Sequence, residues 1–124
     1  MRSLIATLLS RELCVGDRVR LSGGDAAEPL WLGGRSAYFG ECAAFLSNQG
    51  AAPAAVIRLD EPIVLDAYAA GFAILRQRYT RDRWSRHEFV HVELCVHMPA
   101  DDGAHERQER LWVESHATCT VVSP

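Results

Sequence analysis

The chain has 124 residues, 48% of them apolar and 23% charged, the composition of one globular domain able to bury roughly two thirds of its unfolded surface. Its formal net charge is -3 with every one of the thirteen basic residues an arginine, so no global basic field draws it to a polyanion. Four cysteines (Cys14, Cys42, Cys95 and Cys119) lie far apart without a C-x-x-C pair, which excludes the spacing of a disulfide-stapled secreted scaffold.

Leu4, Ile5, Leu8, Leu9 and Leu13 fall on one face of a short helix, expected over 3–13 with Ser3 as its cap. The apolar run from Leu4 to Leu9 contains Thr7 and is followed by Arg11 and Glu12 with no small-residue cleavage site, unlike a signal peptide. No other segment approaches the length of a bilayer span, and the expectation is a cytoplasmic protein with reduced thiols. The leucine stripe needs cover and predicts a dimer or docking surface involving Leu4, Leu8 or Trp31.

From Asp17 the period changes to two. "DRVRL" (17–21) alternates arginine with Val19 and Leu21, as a strand with one solvated face does. A glycine-rich loop over 22–37 holds Pro29 and Trp31 and leads to a second strand, "YFGECAAFLS" (38–47), in which Gly40 marks a bulge or a close approach. "AAVIRLD" (54–60) is the third strand, which Pro62 is expected to end, with a loop to Gly71. "FAILRQRY" (72–79) and "FVHVELCVHM" (89–98) form a pair around an arginine-rich tip. An acidic loop over 99–105 precedes the strand-like "LWVESHATCTVV" (111–122), which Trp112 packs down. The chain therefore reads as one mainly β domain. A helix over 3–13 precedes a small antiparallel barrel of five to six strands over 17–98, and an acidic loop and C-terminal strand segment fill 99–124.

The succession "VGDRVRL", "YFGECAAF" and "AAVIRLDEP" resembles the opening of SH3-like barrels of the KOW and Tudor type, and also the barrel of the nitrile hydratase beta subunit. In those families a Gly-Asp precedes the first strand, the second strand starts with glycine and the third ends in an acidic turn. The resemblance covers about the middle third of the chain. It departs in a longer first loop, in Cys42 where a valine is usual, and in lacking the metal-binding cysteine cluster of the hydratase alpha subunit. It implies a barrel and a binding role, and carries over no catalytic residue.

"HEFVHVELCVH" (87–97) looks most like chemistry. Strand alternation puts Val90, Val92, Leu94, Val96 and Met98 on an apolar face and His87, Phe89, His91, Glu93, Cys95 and His97 on the other, which a solvated strand face already explains. A zinc site on His91, Glu93 and Cys95 needs further ligands from elsewhere, with Cys42, His116 and Cys119 as candidates, since one strand does not wrap a tetrahedron. The chain contains no G-x-S-x-G, no H-E-x-x-H and no phosphate-binding glycine loop; a Cys–His dyad from Cys95 or Cys42 competes with the ordinary role of cysteine as a small buried hydrophobe.

"RQRYTRDRWSRH" (76–87) looks most like binding. Residues 76–86 hold five arginines and one aspartate, whereas the remainder holds eight arginines and fifteen acids. Arg76, Arg78, Arg81, Arg83 and Arg86 offer forked donors, Tyr79 and Trp84 offer stacking faces, and Trp31 is a further candidate or a core plug. The leading expectation is a non-enzymatic barrel that needs no cofactor and acts by binding a protein partner or a second copy of itself. The competing expectations are a nucleic-acid-binding barrel using this hairpin, and a metal-binding protein or enzyme using His91 and Cys95.

Overall fold

The computed structural model describes residues 12–23, 34–47, 52–79, 83–99 and 110–123. Six strands follow in chain order: β1 (Arg18–Gly23), β2 (Ala37–Leu46), β3 (Ala54–Leu65), β4 (Tyr68–Gln77), β5 (His87–Cys95) and β6 (Arg110–Ser123). Each pairs antiparallel with the next, and β6 returns to pair with β1, so the sheet closes into a barrel with its strands in sequence order. Closure leaves no strand edge free among these six.

Alternation fills the interior. Val19 and Leu21 of β1, Ile57 and Leu59 of β3, and Val92 and Leu94 of β5 share one buried cluster, as the period-two pattern predicts. Tyr38, Cys42, Ile63, Leu75, Val90 and Cys119 complete most of its bulk, with alanines such as Ala55, Ala73 and Ala117 where the strands crowd. The Tyr68 hydroxyl donates to the Leu94 carbonyl at 2.8 Å, giving a polar group near this core its partner.

The Gly-Asp before β1 has a specific task. Gly16 adopts φ +96°, a conformation open to glycine, and its N–H donates to the Cys42 carbonyl at 2.8 Å. Asp17, 2% exposed, accepts from the Cys14 N–H at 2.8 Å through Oδ2, while its carbonyl accepts from Cys42 at 2.9 Å. The turn thereby locks β1 to β2. Gly40 is the close approach expected: a Cβ there would stand 2.4 Å from the Arg58 carbonyl oxygen and 2.7 Å from Ile57 Cγ2.

Several expectations are corrected. Pro62 does not end β3; the register slips between Arg58 and Ile63, and a proline, lacking an N–H, is tolerated at such a bulge while the strand runs on to Leu65. No loop to Gly71 intervenes, because Asp66 (φ 52°) and Ala67 connect Leu65 directly to Tyr68. β5 stops at Cys95, so Val96 and Met98 stand at solvent instead of continuing the apolar face. Cys95 is not on a solvated face: it joins Leu46, Ala54, Val56 and Ile74 in a second buried cluster on the outside of β2, β3 and β4. The helix expected over 3–13 lies mostly outside the described residues; Glu12 and Leu13 are not helical, and Leu13 packs into the barrel core. Among the described residues no helix is long and apolar enough to cross a membrane.

Candidate binding surface

Among the described residues, the hairpin between β4 and β5 does not gather its arginines into one patch. Arg76 lies within β4, opposite His91, and its Nη1 pairs with Glu93 Oε1 at 2.5 Å on a half-buried part of the wall. The Arg78 guanidinium sits 5.8 Å from the centre of the exposed Tyr79 ring. Arg83 extends into solvent and reaches Glu12 Oε1 at 3.4 Å. Arg86 is half-buried beside the start of β5, and its carbonyl accepts from the Val121 N–H at 2.8 Å. Arg81 and Trp31 lie outside the described residues.

Trp84 turns away from solvent altogether. It is 4% exposed within the core cluster, and its Nε1 donates to the Pro53 carbonyl at 2.6 Å. The ring is therefore a plug at one end of the barrel, where burial and a satisfied N–H both favour it, and not an open stacking face. Glu88, also buried, holds the hairpin closed around it by accepting from the Ser85 N–H at 3.0 Å and from Gln77 Nε2 at 3.2 Å. A cavity of about 190 Å³ opens beside Trp84, lined by Leu13, Phe45, Ala52 and Pro53, with the Glu12–Arg83 pair at its mouth.

The histidine strand is divided by the same geometry. His91 and Glu93 face outward, Glu93 already holding Arg76, while Cys95 is buried in the outer cluster. Cys42 and Cys119 are inside the barrel, on the opposite side of the sheet from His91. The His116 side chain is outside the described set. Among the described residues no three His, Cys, Asp or Glu side chains converge on a metal-sized site. Burial pushes the Cys42 thiol up to about 11 and the Cys119 thiol up to about 12, which disfavours the thiolate needed for a nucleophile or a ligand.

A different surface emerges from the strand register. Phe39 of β2 stands opposite Arg20 of β1, Arg20 opposite Thr120 of β6, and Thr120 opposite His87 of β5. Each has an inward-pointing neighbour (Tyr38, Leu21, Cys119 or Glu88), so all four share the outer face of a four-strand wall. The next row runs Ala37, Ser22, Thr118 and Phe89. Phe39 is 45% and Phe89 46% exposed, and the His87 ring meets Phe89 edge-on at 6.0 Å while its Nδ1 lies 3.1 Å from Thr120 Oγ1.

Beside this wall, among the described residues, Arg18 and Arg35 hold carboxylates and Arg20 does not. Arg18 pairs with Asp60, and that contact holds the Asp60 carboxyl below its ordinary range. Arg35 pairs with Glu61 at the edge of a shallow cavity of about 100 Å³ beside Phe39. Glu41 stands between Arg18 and Arg58 across the strands. Arg20 touches only Ser22 Oγ, at 3.4 Å, and has no carboxylate partner among the described residues.

Phe39, Arg20, Thr120 and Phe89 were not singled out in the sequence as site residues. Two adjacent aromatics, Tyr38 and Phe39, guarantee that one faces out of a strand, and that was the available signal. Comparison of the chain with protein families, with curated proteins and with solved structures gives no match.

Proposed function

We propose that this protein is a small non-enzymatic β-barrel that works as a binding module for a protein partner, a second copy of itself included. The observation that carries this is the placement of Phe39 and Phe89 at solvent on the wall of a barrel whose interior is filled by its own side chains. With the interior occupied and the strand edges consumed by closure, the outer surface is where contact takes place. In fold type we place it with the small SH3-like barrels of the KOW and Tudor kind; the Gly16–Asp17 turn and the Gly40 contact support that placement. We further place it in the cytoplasm, with its four cysteines free.

The competing nucleic-acid function needs the hairpin arginines, of which Arg76 and Arg83 already hold Glu93 and Glu12. A mobility-shift assay with mixed-sequence DNA and RNA at about 150 mM salt separates the two. Sub-micromolar binding lost on charge reversal of Arg78 and Arg83 would replace the protein-partner function with nucleic-acid recognition. No binding is the expected result, and sedimentation then shows whether the partner is a second copy. About one zinc per chain by elemental analysis, abolished by His91→Ala or Cys95→Ala, would instead establish a metal-binding protein.

A further inference from the structure

Three exposed features compete as the place where a partner docks. The hairpin presents Tyr79 with Arg78 above it, but Trp84, which would have given it a second aromatic face, is inside the barrel. The cavity beside Trp84 has room for little more than one side chain and is framed by the internal Glu12–Arg83 pair. The wall of β2, β1, β6 and β5 combines two exposed aromatic rings, hydroxyl donors and a cation without a carboxylate, all on one continuous face.

Resting on the binding-module function, we propose that this wall is the docking surface, and that its occupant is a peptide segment of a partner protein. The segment carries a carboxylate, seated on Arg20, flanked by bulky apolar side chains that cover Phe39 and Phe89.

The chemistry follows from what surrounds Arg20. Its guanidinium presents a fork of donors that matches a carboxylate in two-point contact. Nearby Asp60 and Glu61 are held by Arg18 and Arg35, and Glu41 stands across the strands from Arg18 and Arg58, so four arginines face three carboxylates and Arg20 is the local excess charge. Neighbouring strands are spaced by roughly 4.8 Å, which puts Phe39 and His87 roughly 14 Å apart across the wall, a span that a few extended residues cover. Thr120 and Thr118 stand between, offering hydroxyls to the segment's backbone. Recognition is by side chains alone, because a closed barrel has no edge to which a peptide adds as a strand. Aromatic residues and arginine are the types that dominate interface energetics, and here they share one face.

A single-stranded nucleic acid is the other occupant with aromatic stacking and anionic contacts. It carries a phosphate at every nucleotide, whereas this wall offers one unmatched arginine and has Asp60, Glu61 and Glu41 at its margin. The ratio of one cation to two aromatic rings fits the peptide.

The test uses the full chain as bait for a random peptide library displayed on phage, with short oligothymidylate as a parallel probe. The expected result is enrichment of peptides with Asp or Glu beside bulky apolar residues. Their affinity should fall more than about tenfold in Arg20→Glu and in Phe89→Ser, but not in Arg83→Glu. Replacing the peptide's acid by lysine should restore binding to Arg20→Glu specifically. The three positions are exposed, and thermal melting confirms that the variants fold. Peptides that bind but ignore the wall variants overturn the docking surface and leave the binding module standing. Failure to enrich any peptide overturns the proposal. Oligothymidylate binding abolished by Arg20→Glu overturns the protein-partner function as well and assigns the wall to nucleic acid.

Discussion

Trp84 is where two accounts of the hairpin diverge most sharply. A fully buried tryptophan removes about 150–250 Å² from water, or about 4–6 kcal/mol at 25 cal/mol per Å², an upper bound because the unfolded chain is already partly compact. Truncation to alanine therefore costs about 3–5 kcal/mol, with loss of the Nε1 bond to Pro53 included in that range. The adjoining cavity of about 190 Å³ lets water enter the space vacated, which relieves part of the cavity penalty and favours the lower end. With a urea slope of about 1.5 kcal/mol per M, a loss of about 3 kcal/mol moves the unfolding midpoint down by about 2 M. Trp84→Phe keeps most of the apolar bulk, removes the donor, leaves the Pro53 carbonyl to find water, and should cost about 1–2 kcal/mol. Urea titration followed by circular dichroism measures both variants. A midpoint for Trp84→Ala within about 0.3 M of the parent would refute the plug, since about 0.5 kcal/mol is the scale of a surface substitution. A ring stacked on a base would show that small stability change together with a loss of about 1–3 kcal/mol in nucleic-acid affinity.

Leu94→Ala should cost about 2–5 kcal/mol in the same titration, because Leu94 is wholly buried among Val92, Leu75 and Ile63; a change below about 1 kcal/mol would contradict the assigned face of β5. Gly40→Ala should destabilise by about 1–3 kcal/mol or more, since the new methyl meets the Arg58 backbone carbonyl, and a neutral outcome would show that β2 and β3 separate freely. In the native chain near pH 8 a thiol reagent should modify Cys14 promptly and Cys42, Cys95 and Cys119 only after denaturant is added; four fast thiols would contradict the burial. Because the folded state raises the Cys42 and Cys119 thiols to about 11 and about 12 from an ordinary 9, their contribution to stability is complete below about pH 9 and is lost as pH rises toward those values. Cys42→Val should flatten that alkaline fall, and an unchanged slope would exclude the thiol as its source.

What the chain's own order of residues determined is the interior of the barrel. The alternations Val19–Leu21, Ile57–Leu59 and Val92–Leu94 are local properties of single strands, and each sorts its residues to one side whatever the strand pairs with. Gly40 was legible for a similar reason, since an absent Cβ is a demand made at one position. The tertiary structure alone decided the rest. Cys95, Val56 and Ile74 read as members of half-solvated strands, yet they are buried on the outer side too, a circumstance that alternation does not reveal. Pro62 reads as a stop until a bulge in a paired strand excuses its missing N–H. Trp84 is flanked by arginines in sequence, but its ring follows the Pro53 carbonyl and the barrel's open end rather than its neighbours along the chain. The row Phe39, Arg20, Thr120 and His87 joins residues as much as a hundred positions apart through three strand registers. A one-residue slip in any of the three would turn members of the row inward, so the wall exists as a surface only once the barrel has closed.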